Sequence, residues 1–141
     1  MTRILGVDYG TKRVGLAISD GLALTANPLE VVPRDSAVAR VISLIGEYAV
    51  EIVVIGLPTG LSGGEGLSAE GARALGEEIG AACPVSIEFV DERFTSRMAD
   101  EALLESGMKR RERRDTVDKV AAAIILQAYL DQRGRGNSKP I

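Results

Sequence analysis

The chain has 141 residues, 45% of them hydrophobic, a single cysteine, no histidine and a formal net charge of −3. That length sets an expectation of one domain around one core, and a lone Cys83 excludes an internal disulfide. Without histidine, Ser-His and Cys-His catalysis and His-ligated zinc drop out together, so acid–base work falls to carboxylates, Lys, Tyr or metal-bound water.

Residues 3–8 and 13–19 are short runs rich in Val, Ile and Leu, joined by a glycine-containing turn, and read as an antiparallel hairpin. Along the first run Ile4, Gly6 and Asp8 share one face, and Leu5, Val7 and Tyr9 the other. Asn27-Pro28 marks a turn, and Leu29 to Val32 a third strand. Val38, Val41, Ile42 and Ile45 recur at helical spacing, with Asp35 or Ser36 as the cap. The unbroken apolar run at 52–57 reads as a central strand covered on both faces. A glycine-dense loop, Gly60 to Gly66, follows. Residues 68–82 predict a weaker helix with Ala72, Leu75 and Ile79 on one face, and with Gly71 and Gly76 as liabilities. A strand at 85–90 and a short helix from Ser96 to Glu105, ended by Gly107, come next. The last helix places Val117, Val120, Ala121, Ile124, Ile125 and Ala128 in one series. The tail after Arg133 has no periodicity and is expected to be disordered, which sets a domain at 1–132 and a basic tail at 133–141. The order β-β-β-α-β-α-β-α-α implies an α/β fold whose mixed sheet begins as an antiparallel meander and continues through crossover helices.

Carboxylates stand at three informative places. Asp8 ends the first strand, Asp91 and Glu92 end the last one, and Asp115 and Asp118 open the final helix. Strand ends and a helix start can converge, and converging carboxylates beside positive charge suggest divalent ions acting on a phosphate backbone. The charge is unevenly spread. Residues 1–108 hold 8 basic and 16 acidic side chains, whereas 109–141 hold 9 basic and 4 acidic. Local potential, rather than net charge, decides whether a polyanion docks. Each feature has a plainer reading. Asp115 can cap its helix and Asp118 suits the helix dipole, although Asp118 borders the apolar positions Val117 and Ala121 and so needs a partner. Asp91 and Glu92 alternate across the strand, so only one can point where Asp8 points. Arg93 can pair with them or with a phosphate, and the run Lys109-Arg110-Arg111-Glu112-Arg113-Arg114 can be a solvated loop. Cys83 before Pro84 is most simply a small, partly buried apolar residue. The glycine loop carries neither G-x-x-x-x-G-K nor G-x-G-x-x-G. A strand-like run starts almost at Met1 and no apolar stretch approaches the roughly 20 residues of a spanning helix. The expectation is a cytoplasmic chain without a signal peptide or a membrane partner.

Val7-Asp8-Tyr9-Gly10-Thr11-Lys12-Arg13-Val14-Gly15, Val54-Ile55-Gly56-Leu57-Pro58, Val90-Asp91-Glu92-Arg93-Phe94-Thr95-Ser96 and Asp115-Thr116-Val117-Asp118-Lys119-Val120-Ala121-Ala122 occur in this order. Together they resemble the YqgF/RuvX family of Holliday junction resolvase-like proteins and pre-16S rRNA nucleases, over roughly residues 3–131. The resemblance implies a ribonuclease H-like fold, with strands 1–3 antiparallel, strands 4 and 5 parallel, and helices flanking the sheet. It also implies hydrolysis of phosphodiesters with two Mg²⁺ or Mn²⁺ ions once substrate is bound. Carried over, Asp8, Glu92 and Asp118 would be the catalytic and metal-ligating set, with Asp91 the alternative to Glu92 and Asp115 either a further ligand or only a helix cap. Lys12, Arg13, Arg93, Lys109, Arg110, Arg111, Arg113 and Arg114 would hold flanking phosphates, contacts that position a strand and carry little sequence information. The implied partners are precursor rRNA or branched DNA, and ribosomal precursor particles, for a monomer or a homodimer. Related junction resolvases carry an acid after the fourth strand, where this chain reads Gly56-Leu57-Pro58. Asp8-Tyr9-Gly10-Thr11 also resembles the phosphate-binding hairpin of the actin, hexokinase and heat-shock ATPases. A nucleotide phosphohydrolase and a non-catalytic RNA-binding assembly factor therefore stand as the other readings.

Overall fold

The computed structural model describes residues 2–10, 12–57, 65–91 and 120–133. A five-stranded sheet runs in the order β3-β2-β1-β4-β5. Its strands are β1 (Arg3–Tyr9), β2 (Arg13–Ser19), β3 (Ala26–Pro33), β4 (Val50–Leu57) and β5 (Ser86–Asp91). β1–β2 and β2–β3 pair antiparallel, and β4 joins β1, and β5 joins β4, in parallel. This is the meander plus crossovers that the sequence implies. Helices α1 (Ala37–Tyr48) and α2 (Glu65–Ala82) supply the crossovers. The described part of a last helix, here α3, spans 120–133.

The alternation along β1 sorts the core into two layers. Leu5 and Val7 pack with Val41, Leu44 and Ile45 of α1 and with Ala72, Leu75 and Ile79 of α2, and Tyr9 lies against the same cluster. Ile4 faces the other way, with Ala17, Val54 and the α3 residues Ala122, Ile125, Leu126 and Leu130. The sheet is thus sandwiched between helices, and β1, fully buried over Ile4, Leu5 and Val7, is its centre.

Several expectations need correction. Asn27-Pro28 is no turn: β3 begins at Ala26, and Pro28 pairs with Ala17 at a register shift between Leu16 and Ala17. An edge strand at a bulge tolerates a residue without an N–H. The actual turn lies earlier, where Asp20 Oδ1 accepts from the N–H groups of Leu24 and Thr25. Ser36 takes the N-cap position of α1 as expected, but a 3₁₀ turn (Arg34–Ser36) leads in and the Ser36 side chain makes no cap bond. α2 starts at Glu65, so the end of the glycine-dense segment is helical. Cys83 packs, partly buried, against the larger core cluster, as its plain reading held.

The glycines of α2 are close contacts more than liabilities. A Cβ on Gly71 would meet the Tyr9 ring at 2.6 Å, and one on Gly76 would reach Ile87 and Phe89 at 3.0 Å. Their cost in helix propensity is thereby exchanged for close seating on β1 and β5. Gly6 does the same for α3, since a Cβ there would lie 2.8 Å from Leu126 Cβ and 3.0 Å from the Ala122 carbonyl oxygen. The buried face of α3 keeps Ala121 and Ile125 of the expected series but is wider on one side and narrower on the other. Ala122, Leu126 and Leu130 are buried, Ile124 only partly so, and Ala128 is exposed. An unbroken apolar run from Val120 to Leu126 leaves the phase of a helix ambiguous in sequence.

Candidate nucleic-acid-processing site

Asp8 sits near the carboxyl end of the central strand, half-buried. Its in-register partners are Gly15 on β2 and Gly56 on β4. Paired residues put their side chains on the same sheet face, so the carboxylate stands in a row whose two adjacent positions carry no side chain. The row continues outward to Val31 on β3 and Val90 on β5. The sequence displays Gly15 and Gly56 inside recognisable motifs, but only the register shows that they flank Asp8.

Beyond Asp8 the chain turns sharply. The Gly10 N–H donates to the Arg13 carbonyl at 2.9 Å. A Cβ at Gly10 would lie 2.5 Å from that same oxygen, so glycine is required here. The Lys12 carbonyl accepts from the Arg34 N–H at 3.0 Å, which ties the hairpin tip to the end of β3. Lys12 is exposed and Arg13 half-buried. The hairpin therefore holds two cations at the sheet end that Asp8 occupies.

Asp91 closes β5 opposite Leu57. Glu92, Arg93, Lys109, Arg110, Arg111, Arg113, Arg114, Asp115 and Asp118 lie outside the described residues, as do Thr11, Gly60 to Gly64, the expected helix from Ser96 to Glu105 and the tail after Arg133. Among the described residues no three His, Cys, Asp or Glu side chains gather as a metal site, and no helix is long and apolar enough to cross a membrane.

Known proteins share this architecture. The T. thermophilus RuvC structure in complex with a Holliday junction substrate superposes with a TM-score of 0.63 at 18% identity, covering 100% of both chains. The large terminase nuclease from thermophilic phage G20c gives 0.51 at 18% identity, covering 86% of this chain and 80% of that one. The fold is ribonuclease H-like, and the sheet order agrees with it. A family model described as "RuvX: Holliday junction resolvase" matches residues 2–132. A Lactococcus lactis subsp. cremoris (strain SK11) protein named "Putative pre-16S rRNA nuclease" is 42% identical over 134 residues, 92% of this chain and 94% of that protein. A relative of the same name from Anaeromyxobacter sp. (strain Fw109-5) is 43% identical over 134 residues, covering 93% and 98%. The chain belongs to the RuvX (YqgF) family, a family named for nucleases.

Proposed function

We propose that this chain is a metal-dependent nuclease whose carboxylate set is Asp8, Glu92 and Asp118, acting on the 5′ end of pre-16S rRNA. The observation that carries this reading is the setting of Asp8. A half-buried acid on the central strand, between glycines on both neighbouring strands, leaves room for a cation and a phosphate against the sheet. The donor set suits the metal. Oxygen ligands without His or thiolate favour Mg²⁺ or Mn²⁺ over Zn²⁺.

Register and spacing support the other two acids. Val90 shares the row of Asp8, and Asp91, the last residue of β5, the row of Leu57, so the register favours Glu92, next in the sequence, over Asp91. Gly6 lies under Ala122 and Leu126. Asp8 follows Gly6 by two residues on the same side of β1, and Asp118 stands four residues before Ala122 in the sequence.

In this reading Asp8, Glu92 and Asp118 hold the ions. When bound, Mg²⁺ or Mn²⁺ supplies a water of lowered pKa and stabilises charge on the leaving oxygen. The residues of the chain do the rest. Lys12, Arg13, Arg93 and the basic run at 109–114 hold flanking phosphates and fix the strand's direction. The missing histidine is no obstacle, because no side-chain base is required.

A second reading, resolution of branched DNA, is favoured by the description of the matching family model. The test is cleavage of precursor rRNA and of four-way DNA junctions in EDTA, Mg²⁺, Mn²⁺ and Ca²⁺, with wild type and Asp8→Asn. The expected result is Mg²⁺- or Mn²⁺-dependent cleavage of the rRNA, lost in Asp8→Asn while binding persists. Undiminished cleavage in EDTA, or in Asp8→Asn, refutes the assignment, and cleavage of junctions alone transfers the activity to DNA.

A further inference from the structure

Beside the carboxylate row lies a groove of about 460 Å³ lined by Lys12, Arg13, Leu29, Glu30 and Val31 to Pro33. We propose that this groove seats an unpaired nucleotide flanking the scissile phosphate, so that the enzyme acts on a single-stranded segment. The inference rests on the nuclease reading above and adds the class of strand that this site accepts.

Position, chemistry and size support it. Val31 stands in the row of Asp8, separated only by Gly15. Adjacent strands lie about 4.8 Å apart, which puts Val31 roughly 10 Å from the acid. That is too far for the scissile phosphate and suitable for a neighbouring nucleotide. Its apolar lining is Leu29, Val31, Val32 and Pro33; Val31 and Pro33, paired with Gly15 and Arg13, have the parity of Asp8, whereas Leu29 and Val32 pack towards the α1–α2 cluster at the sheet edge, and Lys12 and Arg13 complete the lining. An apolar lining beside two cations matches a base face joined to a phosphate. The carboxylate of Glu30 would repel a polyanion, but Arg40 holds it with Nε at 3.1 Å and Nη2 at 2.7 Å. The volume falls within the roughly 300–1,000 Å³ of small-ligand pockets. The Lys12 carbonyl, bonded to the Arg34 N–H, keeps the hairpin tip in place beside the groove. A base in a duplex would have to leave its stack to enter, whereas an unpaired one is already free to splay.

The experiment compares one labelled strand, cut with Mg²⁺ or Mn²⁺, with its flank unpaired or annealed to a complement. Wild type, Val31→Glu and Pro33→Glu are tested, and binding of both forms is measured in EDTA by fluorescence anisotropy. Pro33 is an exposed strand end, so its variant reports even where Val31→Glu does not fold. Wild type is expected to cut the unpaired-flank form at least tenfold faster in kcat/KM. Each variant should lose about tenfold on that form, in cleavage and in affinity, and stay near wild type on the annealed one. Equal rates on both forms overturn the proposal, as do losses shared equally by both forms or variants that behave as wild type. So does a dimer lost in Val31→Glu without any change in strand binding, which would assign the edge of β3 to a second copy. If wild type cuts neither form, the nuclease reading fails, and the anisotropy ratios still decide for or against the groove.

Discussion

Substituting alanine at two glycines tests the packing argument, because the same added methyl should act with opposite signs. At Gly6 the new Cβ would lie 2.8 Å from Leu126 Cβ and 3.0 Å from the Ala122 carbonyl oxygen. Both atoms are fixed to the α3 backbone, so no rotamer change relieves the clash and the helix must lift from β1. Overpacking of this kind costs about 1–3 kcal/mol. The lower entropy of the unfolded alanine chain offsets about 0.4–1 kcal/mol of it. A net loss of about 1–2 kcal/mol follows, or roughly 3–8 °C in Tm for a chain of this size. At Gly46, inside α1, nothing lies within 4 Å of the added Cβ. There the change should stabilise by about 0.5–1 kcal/mol, through helix propensity and unfolded-state entropy. Urea unfolding followed by circular dichroism, with wild type and both variants at one pH, gives both values. A Gly6→Ala protein as stable as wild type, or a Gly46→Ala protein less stable, would refute the reasoning.

Three further expectations are independent of that pair. Gly71→Ala should destabilise the fold, because the Tyr9 ring lies 2.6 Å from the new Cβ; adding Tyr9→Leu should restore part of the loss, which a double-mutant cycle in urea would measure. Backbone N–H groups of Leu24 and Thr25, the former foremost, hold the Asp20 carboxyl below its ordinary value of 3.8. A depressed folded pKa contributes stability above the unfolded value that is lost as pH falls through the folded one. The stability gap between wild type and Asp20→Asn should therefore narrow as pH falls below that range, and a gap independent of pH in acid urea titrations would contradict this. Replacing Arg110, Arg111, Arg113 and Arg114 with Ala should weaken nucleic-acid binding and flatten its salt dependence, since each phosphate neutralised on a duplex contributes about −0.9 to the log–log slope; an unchanged slope reassigns the run to solvent.

What was legible in the sequence follows the periodicities. The period of two on β1 separates Ile4 from Leu5 and Val7, and the structure puts them in different layers. The apolar run at 52–57 reads correctly as a doubly covered strand, extended by Val50 and Glu51. Ala72, Leu75 and Ile79 are buried as their spacing predicts. Failures occur where a residue's intrinsic preference yields to its neighbours. Pro28 signals a turn in isolation, yet an edge bulge accommodates it. Gly71 and Gly76 look costly until the Tyr9 and Phe89 rings are seen against them. The candidate site divides in the same way. Asp8 and the hairpin cations are readable from motif and turn chemistry. The bare positions at Gly15 and Gly56, and the groove along β3, depend on pairings between distant segments, which no local pattern encodes.

The two faces of the sheet are completed at different times during synthesis. Leu5 and Val7 find their cover in α1 and α2, from the middle of the chain. Ile4, Ala17 and Val54 are covered, among the described residues, by α3 near the carboxyl end. As the chain emerges from the amino end, the sheet can pair and close one side while the other stays wet and apolar. Exposed apolar surface of this kind makes folding intermediates prone to aggregate. A premature stop before residue 120 would therefore yield an insoluble product more readily than a stable, inactive one. Arrival of α3, more than strand pairing, closes the second apolar face.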